Sequence, residues 1–483
     1  MEYSTKVSSK FFTAVAWCLL VVALNAQPSR FTPGTKPFVV VDAPVLALEH
    51  VRVIDGTGRP PLEDQTVVID HGKIAAIGAA SATTAPAGAR RIDFANRTVI
   101  PGLVGMHEHL FYPSGEGIPT YNEQAFSFPR LYLACGVTTA RTGGSLEPYT
   151  DLSLKRLIDH GDMPGPKLYL TGPYLEGPGS FAAQMPQLRD AADARRTVEY
   201  WAAEGITSFK ADMNITHDEL AAAVETAHRL GIKVTGHLCS VGFREAAGIG
   251  IDNLEHGLIV DTEFNPGKTR DVCPPQTATF ATTSRLDIES PAVRETIGDL
   301  VRHHVAVTST LAVFEAMTPH RPPLLQCFLD LLTPEAATSY LKARALASDN
   351  SKSVAPALLE TEMRFEREFV RAGGLLMAGA DPTGNGGAMA GLADQRNLEL
   401  LVEAGFTPVE AIRIATFNGA KWLNALDRVG TVEKGKDADL VVIGGNPAAR
   451  IADVEKVEMV FKDGVGYDPE RLFKSVAGSV GLH

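Results

Sequence analysis

Between residues 101 and 425 the chain repeats one unit, a short apolar strand followed by a stretch with helical spacing. The strands are expected at 103–109, 138–142, 167–171, 208–211, 233–237, 253–256, 306–310 and 375–381. Residues 219–230, 396–404 and 408–416 place apolar side chains at helical spacing. Strands that alternate with helices pair in parallel, and eight of them close into a (β/α)₈ barrel. This is an α/β expectation for residues 101–425.

The two ends have a different rhythm. Residues 45–100 alternate apolar and polar positions and are broken by turns such as Asp70-His71-Gly72-Lys73. Residues 426–470 repeat that character, with Val457–Lys462 followed by Asp463-Gly464. Both termini are therefore expected to build one small discontinuous β-sandwich beside the barrel. Hydrophobic residues make up 45% of the 483, ample for a barrel core with a companion domain.

Lys6 and Lys10 precede an apolar run from Phe11 to Leu24, and Ala26 offers a small residue for cleavage. The run is shorter than the ~20 residues of a bilayer-spanning helix. It reads as a secretory signal over 1–26, with retention as an anchor the alternative. Residues 27–44, rich in Pro, Ser and Thr, read as a flexible leader. The expected location is secreted or periplasmic, without stable membrane insertion after cleavage. A net charge of −12 argues against a nucleic-acid partner, which would require a basic stripe.

Four cysteines remain beyond the signal: Cys135, Cys239, Cys273 and Cys327. No CxxC occurs, so thiolate-held zinc is not expected. Cys273 and Cys327 both fall in long loops, where export would permit pairing. Sequence alone leaves that open.

Position separates the 13 histidines. His107, His109, His237 and His256 stand at the ends of expected strands, as do Lys210 and Asp381. In a barrel of this kind, active sites form at that end. On a strand, residues i and i+2 face the same way. His107 and His109 therefore project together while Glu108 points away, and neutral imidazole is a good metal ligand. An HxH pair alone is also compatible with polar lining, and Lys210 with an ion pair to Asp212.

The segment Pro101-Gly102-Leu103-Val104-Gly105-Met106-His107-Glu108-His109 resembles the first barrel strand of the amidohydrolase superfamily. The later matches keep the family order. Lys210 ends the fourth strand, His237 and His256 end the fifth and sixth, and Asp381 ends the eighth. Residues 401–441 resemble its closing segment. The chain looks like the binuclear, lysine-bridged branch that includes prolidase-like and imidazolonepropionase-related hydrolases. The resemblance implies two divalent metal ions, with zinc expected first. His107, His109 and Asp381 would hold one, and His237 and His256 the other. Lys210, N6-carboxylated, would bridge them together with a hydroxide. Ammonium has no lone pair, so an unmodified lysine cannot ligate. Asp381 would also relay the proton.

The activity implied is hydrolysis of an amide or peptide C–N bond in a small molecule or short peptide. Lactone, carbamate or cyclic amidine hydrolysis, or deamination, would suit the same site. A non-catalytic exported binding protein is the reading from another class. Arg141, Cys239 and Tyr174 are the candidate substrate contacts: Arg141 could clamp a carboxylate or form a barrel-lining ion pair, and Tyr174 and Cys239 could instead be packed residues. The segments His237-Leu238-Cys239-Ser240 and Arg141-Thr142 depart from the dipeptidase pattern. The long stretches 258–300 and 312–365 could form a lid over the mouth of the barrel or serve as interface or packing segments. A homo-oligomer is compatible with the sequence.

Overall fold

The computed structural model describes residues 31–114, 120–180, 182–321 and 323–482. The expected signal at 1–26 lies outside them. Eight strands carry the middle of the chain: β1 Leu103–Glu108, β2 Val137–Thr142, β3 Lys167–Tyr169, β4 Ser208–Ala211, β5 Lys233–Gly236, β6 Asn253–Glu255, β7 Ala306–Ser309 and β8 Leu376–Ala378. They start within a residue of the expected positions. Strands β1, β2 and β3 pair in parallel, as do β4 to β8 in chain order. A parallel bridge between Thr171 and Ser208 joins β3 to β4. The Asp381 N–H donates to the His107 carbonyl at 2.9 Å, linking the chain beyond β8 to β1. This is a mixed α/β fold.

Helices separate successive strands, and the one between β4 and β5 shows why. Thr216 and Glu219 form a reciprocal capping box before His217–Arg229. Asp218 and Glu219 sit in the first turn, and His228 and Arg229 in the last, complementing the helix dipole. Leu220, Ala223, Val224 and Ala227 bury one face in the main core.

Strands from both ends of the chain hydrogen-bond as one nine-stranded sheet. In Leu440–Ile443, alternate residues serve two cores. Leu440 and Val442 join a cluster of the sheet's own, whereas Val441 and Ile443 join the larger core. That private cluster contains Val41 from one end of the strand order and Ile74 from the other, so the sheet coils over its inner face. The sequence placed residues 39–41 in a mobile leader. Instead Val39–Val41 pairs antiparallel with Val465–Tyr467. Three consecutive β-branched valines favour the extended pairing.

The two long stretches are helical over Gln276–Thr283, Pro291–Arg302, Pro334–Asp349 and Ala355–Arg371. Among the described residues no helix is long and apolar enough to cross a membrane.

Candidate functional site

Just beyond β8, Asp381 meets three imidazoles. Its Oδ1 lies 3.3 Å from His109 Nε2 and 3.8 Å from His107 Nε2, and its Oδ2 lies 3.7 Å from His256 Nδ1. The His107 and His256 rings are 4.6 Å apart, and those of His237 and His256 are 4.5 Å apart. Lys210 Nζ donates to His107 Nε2 at 3.1 Å. All six residues singled out by sequence thus converge. Lys210 is 3% exposed, and among the described residues no ion pair holds it, so the Asp212 pairing is not formed.

Backbone conformation brings two of these groups in. His256 and Asp381 lie past their strand ends with φ of 68° and 46°, the left-handed region that most side chains avoid. Such strain persists only where the surroundings enforce it. Gly379 makes room: a Cβ there would lie 2.4 Å from the His107 nitrogen.

Electrostatics leave the cluster in a state suited to a cation. Burial pushes the His107 imidazole down to about 4 and lowers those of His109, His237 and His256, so the rings are neutral at pH 7. Burial alone would raise the Asp381 carboxyl, but His107, His109 and His256 hold it well below its usual range. His107, His109 and Asp381 each offer a donor atom within 4.8 Å of the others, and can hold a metal ion.

Behind His107 stands a partner that sequence reading missed. His107 Nδ1 lies 2.8 Å from Glu255 Oε2, and Arg141 Nη2 lies 2.6 Å from Glu255 Oε1. A carboxylate only accepts, so Nδ1 carries the proton and the Nε2 lone pair faces the cluster. The signal was adjacency, since Glu255 immediately precedes His256. Similarly, Thr310 Oγ1 lies 2.8 Å from His256 Nδ1.

The expected substrate contacts fare differently. Tyr174 lines the cavity at the cluster, with its ring 6.4 Å from that of His109. Arg141 does not. It is fully buried behind His107, and its Nη2 donates to Glu255 and to the Met106 carbonyl, away from the cavity lining. Cys239 is also elsewhere: it forms a disulfide with Cys273. Cys273 therefore does not pair with Cys327, which is free and exposed, and Cys135 is free and buried. The bond ties the end of β5 to the segment before Gln276–Thr283. Gln276 and Phe280 from that helix, and Val313, Phe314 and Met317 from the second long stretch, wall a cavity of about 350 Å³.

Known proteins resemble this chain in sequence and in fold. An imidazolonepropionase of Mycolicibacterium smegmatis is 38% identical over 97 residues, 20% of this chain and 23% of that protein. A dihydroorotase of Anaeromyxobacter dehalogenans is 30% identical over 213 residues, 39% of this chain and 47% of its own. The matches thus span less than half the length of these relatives. A solved Xaa-Pro dipeptidase with bound methionine shares the fold, with a TM-score of 0.66 and 21% identity. That likeness covers 88% of this chain and all of the other. Residues 98–466 match the model of the Amidohydrolase family, and the chain belongs to that family.

Proposed function

We propose that this chain is an exported, metal-dependent hydrolase of amide or peptide C–N bonds, working at one end of a closed (β/α)₈ barrel. The barrel would span 101–425, with 45–100 and 426–470 forming the flanking β domain. The linked strands β1–β8 and the dipeptidase-like fold support closure. The apolar run Phe11–Leu24 supports export, as does the Cys239–Cys273 bond, since disulfides persist in oxidising compartments.

The observation that carries the activity is the convergence of three neutral imidazoles on an ionised, buried Asp381, with His237 against His256 and a buried Lys210 that forms no direct ion pair among the described residues. His107, His109 and Asp381 would hold one divalent ion, and His237 and His256 a second. Lys210 would bridge the two as its carbamate, and zinc suits the mixed nitrogen and oxygen donors. Bound metals would supply an acidified water and a polarised carbonyl. The chain's own groups do the rest. Glu255 keeps the proton on His107 Nδ1, and the cavity walls shape the space beside the cluster. A carboxylate of Asp381 accepts the proton of the attacking water and returns it to the leaving nitrogen.

Metal content and turnover of wild type and Lys210→Ala test this, with amides assayed in bicarbonate and zinc. The expected result is two metals per chain in wild type and fewer than two in the variant, with activity down more than about a hundredfold. Full activity in the variant would reject the bridged pair.

A further inference from the structure

The cavity at the cluster is apolar over most of its wall. Phe111, Phe280 and Phe314, with Met185, Met213 and Met317, face it. Its lining contains no arginine, and its one lysine, Lys210, meets His107 and would be a carbamate in the proposed holoenzyme. A substrate carboxylate therefore finds no free positive side chain.

One of its polar residues outside the cluster is Asp212, just past the end of β4. It lines the cavity yet is only 2% exposed. Its Oδ1 accepts from the Met213 N–H at 2.7 Å. Among the described residues no ion pair engages it, and no hydrogen bond reaches Oδ2. Burying an unpaired carboxylate is costly, so a ligand cation that pairs with it gains a strong charge-assisted hydrogen bond. Asp381, the other carboxylate of the wall, is already surrounded by imidazoles.

We propose that Asp212 selects substrates carrying a protonated amine on a bulky apolar group, and that the cavity discriminates against free carboxylates. This rests on the hydrolase reading and names its substrate class. An apolar aminoacyl amide has the required shape: an aromatic body for the Phe and Met wall, an ammonium for Asp212, and an amide next to both.

Three anilides of phenylalanine test it: the free amine, the N-acetyl and the N-succinyl compounds. They share the aromatic body and the scissile anilide bond and differ at the α-nitrogen, in charge and in the size of the acyl group. At pH 6.5, below the ~7.7–8.0 of an α-ammonium, the amine is protonated. The expected order of kcat/KM is amine, then acetyl, then succinyl, with the first ratio at least about tenfold. In Asp212→Asn that ratio should fall below about threefold. A succinyl compound cleaved fastest by wild type would overturn the proposal, and so would an amine advantage that survives in Asp212→Asn at wild-type metal content.

Calorimetry on the metal-loaded protein supplies a readout independent of turnover. Phenethylamine should bind more tightly than 2-phenylethanol to wild type, with equal affinities overturning the proposal. If no anilide is cleaved but the amine preference holds, the hydrolase reading fails and the selectivity stands. If anilides are cleaved without charge preference, the reverse is true.

Discussion

Two carboxyl groups flank β1 under opposite regimes. On the inner side, Glu255 receives Arg141 and the His107 Nδ1–H. Burial would raise it, but those partners hold it well below the ordinary range. On the outer side, Glu108 meets the buried carboxyl of Asp394 near the start of the helix Leu392–Glu403. Burial and the facing acid raise Glu108 well above its ordinary range, and burial raises Asp394 to about 7. One proton shared by the two acids replaces the cation. Where His107 must present a fixed lone pair, the fold supplies a permanent anion. Where the outer layer only has to pack, a neutralised pair suffices.

Removing the cation should break this contrast most strongly. Arg141→Ala strands the Glu255 charge at a fully buried position. The expected loss is about 3–5 kcal/mol, read from urea unfolding of the metal-loaded protein. The pair Arg141→Met with Glu255→Gln removes both charges yet leaves an acceptor for His107. It should recover at least half of that loss, since replacing both members of a buried pair is tolerated better than orphaning one. A double variant as unstable as Arg141→Ala would show that the arginine acts by packing alone.

The next effect is on the metal centre. Glu255→Gln leaves a neutral acceptor for His107 Nδ1 and removes the charge that fixes its proton. Metal affinity, followed by chelator competition, should weaken about 10- to 100-fold. The wild-type charge also carries a pH signature. A carboxyl depressed in the folded state contributes stability above its unfolded value of about 4.3, lost as pH falls below it. Glu255→Gln should therefore flatten the acid limb of the stability profile. An unchanged limb and unchanged affinity would remove Glu255 from its supporting role.

Much of this site could be read from the chain, for physical reasons that also mark the limits. Strand alternation placed His107 and His109 on one face and Glu108 on the other, because period two survives inside a strand. The same rule could not foresee His256 or Asp381, which turn inward through left-handed residues past their strand ends. Arg141 could be read equally as a substrate clamp or as half of an ion pair, because its partner, Glu255, lies 114 residues away. The Cys239–Cys273 pairing had the same opacity, being set by which loops the fold brings together. Val39–Val41 looked like a mobile leader because its partner strand lies at the opposite end of the sequence. Local patterns were legible, whereas the partner of an individual residue in a distant segment was not.

The smallest expected effect lies on the outer side of β1. A carboxyl raised in the folded state keeps its proton where the unfolded chain has lost it. Its stabilisation is complete below the unfolded value of about 3.9 and declines as pH rises toward about 7. Asp394→Asn replaces the shared proton with an amide donor to Glu108 and removes one titrating acid from the pair. Near pH 5 the variant should lie within about 1 kcal/mol of wild type, since one neutral hydrogen bond replaces another. From pH 5 to 8 its stability should rise relative to wild type, because it no longer carries that cost. A difference independent of pH would mean that Asp394 is ionised throughout. The two sides of β1 would then share one electrostatic regime.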